Sequence, residues 1–183
     1  MKRLLSVTAL VLCSAGVAAF ANECDSERRD QSTPTERFTQ NPNGTVTDKR
    51  TGLVWSRCSI GQTWNGSNCV GQSQEMTWNN AKRAEQDANN AHFADQSDWR
   101  IPAVPELASI VEIQCKNPRV NTEVFPATPS KTFWSSMEKR GANQFAYALD
   151  FGGGAAGPMA KVDAGAVRLV RGGPWWVPPS MKP

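Results

Sequence analysis

Two short runs of alternating polar and apolar residues open the patterned part of the chain. They are Thr45-Val46-Thr47, preceded by Asn43-Gly44, and Thr51-Gly52-Leu53-Val54-Trp55. A turn dipeptide before an alternating run predicts a strand. The second run reads as its return partner after a turn near Asp48-Lys49-Arg50, so the pair forms a hairpin. Residues 58–71 follow as a polar, Gly- and Asn-rich loop. The period then lengthens. Thr77 stands as an N-cap before Trp78, Ala81, Ala84, Ala88 and Ala91, which are spaced for the buried face of a helix that fades at Asn89-Asn90. Val104, Leu107, Ile110 and Val111 predict a second helix after Pro102, with Pro105 in its first turn, where a missing N–H costs little. Pro118 and Pro126 punctuate a long loop. Strand-like runs then cover 132–135, 145–151, 159–162 and 166–170, with Gly152-Gly153-Gly154 as a turn. A hairpin, two helices, a long loop and a meander make an α+β fold with a small antiparallel sheet.

The ends of the chain do not share these patterns. Residues 1–21 read as a signal peptide, with Lys2 and Arg3 before an apolar run and Ala19-Phe20-Ala21 before a cleavage point at Asn22. The run is too short to span a bilayer comfortably, and no stable membrane insertion is expected after cleavage. Cys13 lies inside the apolar run without the small residues that a lipid-attachment site needs before it. Residues 22–37 form a polar N-terminal segment, expected to be mobile and tied down only by Cys24. The folded domain is assigned to 38–173, and 174–183 to a Trp/Pro-rich tail.

Composition narrows the chemistry. The chain has 183 residues, 39% hydrophobic and 20% charged, enough for one modest core. Removing Lys2 and Arg3 with the signal lowers the net charge of +3 to +1, so nothing supports nucleic-acid binding. The single histidine, His92, excludes multi-His metal sites and leaves little room for acid–base catalysis. Excluding Cys13 leaves Cys24, Cys58, Cys69 and Cys115, an even count that in an exported chain points to two disulfides. Three pairings are possible. The favoured one joins Cys58 to Cys69 across a short loop and Cys24 to Cys115 as a long-range staple. With no CxxC pair, a zinc site is disfavoured.

Seven pieces in order carry a family resemblance. They are Gly44-Thr45-Val46-Thr47-Asp48 with Thr51-Gly52-Leu53-Val54-Trp55; Thr77-Trp78 with Ala81; Asp98-Trp99-Arg100-Ile101-Pro102 with Glu106-Leu107; Phe125-Pro126; Phe133-Trp134-Ser135-Ser136; Asp150-Phe151-Gly152; and Val167-Arg168-Leu169-Val170-Arg171-Gly172. Over roughly 38–173 the chain resembles the C-terminal domain of the Legionella collagen-like adhesin, a bacterial domain family. The resemblance implies a C-type-lectin-like fold and an exported protein, periplasmic, secreted or on the outer surface. In the named adhesin the domain is associated with sulfated glycans and trimers. This chain has no Gly-X-Y run, so the collagen stalk that favours trimers is absent here, although an oligomer remains compatible.

The candidate sites follow. Trp99, Arg100 and Glu106 are expected to be structural, with Arg100 paired to a carboxylate, and Trp55, Trp78 and Trp134 to pack the core. No metal or other cofactor is expected: the sugar-binding lectin tripeptides are absent, and Trp78-Asn79-Asn80 only approximates one. Arg168 and Arg171 are candidate ligand-binding cations, although alternation along a strand points them opposite ways. Trp64 is the strongest single candidate, an aromatic in a polar loop that periodicity does not explain. Trp175 and Trp176 complete the ligand-binding set. His92, Asp150 and Asp163 form no catalytic arrangement, and the expected role is non-enzymatic. The chain would act in adhesion or in recognition of a glycan or surface protein; the alternative is a structural component of an envelope or pilus-type assembly. The loops 58–76 and 114–131, with 143–166, are the expected contact face.

Overall fold

The computed structural model describes residues 23–24 and 31–173. The strands in chain order are β1 (Glu23–Cys24), β2 (Phe38–Gln40), β3 (Thr45–Asp48), β4 (Val54–Ser56), β5 (Thr63–Trp64), β6 (Cys69–Val70), β7 (Cys115–Lys116), β8 (Thr132–Glu138), β9 (Phe145–Asp150), β10 (Ala156–Ala160) and β11 (Val170–Arg171). Two α-helices, α1 (Trp78–Asn90) and α2 (Val104–Ser109), lie between β6 and β7. The fold is α+β, with a four-stranded antiparallel sheet in the order β11-β4-β3-β2 and a three-stranded one in the order β10-β9-β8. The hairpin read from the sequence is β3–β4, with Val46 opposite Trp55. Both disulfides form in the favoured pairing: Cys24–Cys115 staples β1 to β7, and Cys58–Cys69 closes the loop that carries the small β5–β6 hairpin. Among the described residues no helix is long and apolar enough to cross a membrane.

The run expected as a strand over 166–170 is extended, but only Val170–Arg171 belongs to a ladder. The rest is shared among several neighbours. The Trp134 amide donates to Ala166 O, the Ile60 amide to Val167 O and the Ser56 amide to Leu169 O, while Arg100 and Val170 exchange both backbone bonds. This segment is a spine with a core on each side. Ala166 and Val170 join Trp55, Leu107, Ile110, Phe125, Phe133 and Phe151 in one cluster. Val167 and Leu169 join Ala81, Trp99, Ile101 and Trp134 in the other. Period-two alternation sends neighbouring residues to opposite cores. It explains why 166–170 is buried at every position rather than at every second one.

The expected strand at 159–162 is instead β10, which begins at Ala156 and ends at Ala160. Both helices form where the periodicity placed them. The Thr77 hydroxyl accepts from the Asn80 amide at the start of α1. The buried Glu106 carboxylate accepts from the Ala103 amide at the start of α2 (2.7 Å) and from both terminal nitrogens of Arg100 (2.7 and 2.6 Å). The structural expectation for Arg100 and Glu106 is met, as is core burial of Trp55, Trp99 and Trp134. Trp78 is half-buried, with its Nε1 donating to Ser135 O.

One expectation is corrected near the start. Residues 32–37 are held against the fold by more than the disulfide. The Glu112 carboxylate accepts from the amides and hydroxyls of Ser32 and Thr33. Arg37 is buried in an ion pair with Asp48 and donates to Ser109 O. The signal peptide over 1–21, Cys13 and the tail with Trp175 and Trp176 lie outside the described residues.

Candidate functional site

Helix α1 carries a stripe of alanines, and this stripe departs from the expected core face. Only Ala81 is fully buried; Ala84 and Ala88 are half-buried, and Ala91 is exposed. Methyl groups are too short to reach the opposing loop, so a space remains between them and it. That space is a cleft of about 900 Å³, near the upper end of the usual range for ligand pockets. One wall is α1, through Asn80, Arg83, Ala84, Asp87, Ala88 and Ala91, extended by Phe93. The other wall is the disulfide-closed loop, through residues 58–64, with Gly44 beside it. Met76 and Leu169 lie between them. The inner surface is mostly apolar. At the rim, the side chains of Arg83 and Asp87 make no hydrogen bond or ion pair among the described residues.

Trp64 stands in this second wall, and the structure accounts for its position. Its Nε1 donates to Pro42 O at 3.1 Å. Its side chain lies against Gly44, where φ is +78° and a Cβ would come within 2.7 Å of Trp64 Cβ and Cγ. The Arg57 guanidinium covers the ring, 4.2 Å from its centroid. Trp64 is still only half-buried and lines the cleft. It therefore both plugs its own loop and offers surface to the space beside it.

Arg57 itself is buried, donating from Nε to Val124 O and from a terminal nitrogen to Glu123 O, both at 2.9 Å. Burial pushes its pKa down. Sequence reasoning did not single it out. Its neighbour in the charged pair Arg57/Arg168 corrects a sequence expectation. Arg168 has 0% exposure and makes its bonds inward, to the carbonyls of Ser56 and Arg57 and to the hydroxyls of Ser59 and Thr128. Its guanidinium lies over Phe125, 4.8 Å from the centroid. Burial and then the charge of Arg57 push its pKa down to about 9. Arg168 is a pin between the spine, the start of the disulfide loop and the loop at Thr128, with no surface to offer a ligand.

Arg171 lies on the other side of the strand, as alternation predicted. It is partly exposed and paired with Asp98 at 2.6 Å. It does not line the cleft, so Trp64, Arg168 and Arg171 form no common site. His92 is exposed at the end of α1 and is not part of the cleft lining. Of the expected contact loops, 58–76 supplies one whole wall, whereas 114–131 supplies none of the lining. After Trp78 the α1 stripe holds only alanines, and this is the signal that would have located the cleft: a helix face without a large side chain beyond its first turn cannot fill a core by itself.

The family described as the Lcl C-terminal domain matches over residues 44–171, which includes both walls of the cleft, the spine and the Cys58–Cys69 loop. No curated protein matches the chain.

Proposed function

Because the chain belongs to the Lcl C-terminal domain family, we propose that it works as an exported, non-enzymatic recognition domain of the bacterial surface or envelope, with the cleft around Trp64 as its contact site. The two disulfides support an oxidising location outside the cytoplasm. The two-helix, disulfide-stapled α+β plan is compatible with the C-type-lectin-like fold that the resemblance implies. The non-catalytic reading is supported by the fate of the reactive side chains: the four domain cysteines are oxidised, and the lone histidine lies outside the cleft.

The observation that carries the reading is an aromatic ring held on two sides and left open to a cleft. A fixed ring loses little conformational entropy when a ligand lands on it. Its apolar face suits the C–H face of a sugar, and Arg83 and Asp87, whose side chains are unpaired among the described residues, supply donors and acceptors for hydroxyl groups together with Asn80. A surface glycan is the favoured ligand class. A glycan array probed with the protein and with Trp64→Ala tests it: binding that disappears in the variant supports the reading, and an unchanged profile removes it.

A protein ligand is the second reading, and a different surface favours it. Strand β10 is the outer strand of its sheet, and Val162 just beyond it is 82% exposed. An open strand edge is a template for pairing with another chain. Co-purification of the native protein with envelope neighbours, with an unchanged glycan profile for Trp64→Ala, supports this reading.

A further inference from the structure

We propose that the cleft between α1 and the disulfide loop takes a glycolipid, with the sugar on the open Trp64 ring and an aliphatic chain along the alanines of α1. This assignment rests on the recognition reading above and names the class of glycan that the site selects.

Polar and apolar groups divide along α1. Asn80, Arg83 and Asp87, three and four residues apart, form one row, and all three are exposed. Ala84 and Ala88, the next residues after Arg83 and Asp87, form a second row that is half-buried and turned toward the fully buried Ala81. From Ala84 to Ala91 the second row runs about 10 Å, at about 1.5 Å per residue. Ile60, Met76, Phe93 and Leu169 stand around it. Ile60, Met76, Ala88 and Phe93 pack on the core cluster of Trp99 and Trp134 while staying partly exposed. The floor of the cleft is thus core surface left uncovered. A contiguous apolar surface of this kind marks a contact site.

The loop wall has few polar groups left to offer. The Ser56 hydroxyl donates to Cys58 O, and the Ser59 hydroxyl accepts from Arg168. The Ile60 amide donates to Val167 O, and the Gln74 amide to Ile60 O. The Gln62 side chain accepts from the Ser59 amide and donates to Ala127 O. A sugar hydroxyl pushed against this wall exchanges water for groups that are already committed, and each such loss weakens binding by about tenfold. A bare sugar is therefore confined to the Trp64 ring and the polar row, and it leaves the apolar floor wet. An aliphatic chain reverses the balance. It has no hydrogen bonds to lose, and each methylene fully buried tightens binding by about fourfold. An amphiphile with a sugar at one end fills both parts of the cleft.

The test titrates the full chain with hexyl, octyl and decyl maltoside below their micelle concentrations, with maltose, and with decyl sulfobetaine as an amphiphile without a sugar. Amide resonances in solution report the binding. Affinity is expected to rise about two- to fourfold per added methylene, with maltose the weakest of the sugar series. Decyl maltoside should bind more tightly than decyl sulfobetaine, and the resonances of Ile60, Ala84, Ala88 and Phe93 should shift. Ala84→Leu and Ala88→Leu, each filling the floor from α1, should flatten the rise with chain length while both disulfides still form. Three results overturn the proposal. One is a flat series in the unaltered chain. Another is a rise that both variants leave unchanged, which puts the aliphatic chain elsewhere. The third is decyl sulfobetaine binding as tightly as decyl maltoside, which leaves no place for the sugar. Binding on the glycan array beside a flat series strikes this assignment alone. An array without binding, beside equal affinities for the two decyl amphiphiles, strikes the glycan reading as well.

Discussion

The guanidinium of Arg57 lies 4.2 Å above the centre of the Trp64 ring while its nitrogens are committed to the carbonyls of Val124 and Glu123. Arg57 is thus anchored to a loop more than sixty residues away and cannot follow the ring if it moves. With Gly44 on another side and Pro42 O holding Nε1, the indole is fixed before any ligand arrives. A cation over an aromatic face contributes about 0.5–2 kcal/mol, more when water is excluded.

Trp64→Ala is expected to weaken ligand binding by about 30-fold or more, equivalent to the ~2 kcal/mol of a hot-spot aromatic. Because the ring is only half-buried, the thermal midpoint should fall by a few degrees rather than collapse. Titration calorimetry and a melting curve on the same sample separate the two effects.

Gly44→Ala and Gly52→Ala make a matched pair. Both glycines have a left-handed backbone, at φ +78° and +72°, but an added Cβ meets Trp64 at 2.7 Å at the first and nothing within 4 Å at the second. Each substitution costs about 1–2 kcal/mol for the backbone alone. Gly44→Ala should cost more in denaturant unfolding and should also displace Trp64, lowering binding. Gly52→Ala should leave binding unchanged.

Glu106→Ala removes a carboxylate with 0% side-chain exposure that holds both Arg100 and the Ala103 amide. Breaking one side of a buried pair costs about 3–5 kcal/mol. The lower end is expected here, because the Arg100 side chain is 29% exposed and regains some hydration. Urea unfolding should show the loss, and Ala103, whose amide donates to the Glu106 carboxylate, should exchange its amide hydrogen faster.

Acid should loosen the first described residues. Burial opposes ionisation of Glu112, yet hydrogen bonds from the Thr33 and Gln114 amides, the Thr33 hydroxyl and the Ser32 amide outweigh it and hold its carboxyl below the usual range. A group with a depressed folded pKa stabilises the fold above its unfolded value, here 4.5, and that contribution is lost as pH falls through the folded value. Asp48 behaves alike: burial opposes its ionisation, but the hydrogen bonds from Arg37 and Thr51 and the Arg37 charge prevail. Stability is expected to fall below about pH 4.5. Glu112→Gln should show a shallower fall, measured by unfolding at several pH values.

Much of this arrangement is legible in the sequence because it is local. The Thr77 cap, the Pro105 helix start and the Arg100–Glu106 pair lie within a turn or two of the residues that predict them. The disulfide pairing follows from a count and one short loop. The features that were not legible depend on distant chain crossings. Whether Arg168 faces solvent is decided by Ser56, Arg57 and Thr128, which the fold brings to it from up to 112 residues away. Ser32 and Thr33 look mobile until Glu112, 79 and 80 residues on, accepts their hydrogen bonds. Ala84 and Ala88 have the spacing of a core stripe, but only the position of the opposite loop shows that they face a cleft.

Binding to an immobilised glycan panel tests the central claim most directly, measured side by side for the unaltered protein, Trp64→Ala, Arg83→Ala and Arg171→Ala. The account predicts signals that vanish for Trp64→Ala, weaken for Arg83→Ala and persist for Arg171→Ala, with both disulfides intact in every sample. Undiminished signals for Trp64→Ala, or loss confined to Arg171→Ala, would contradict it.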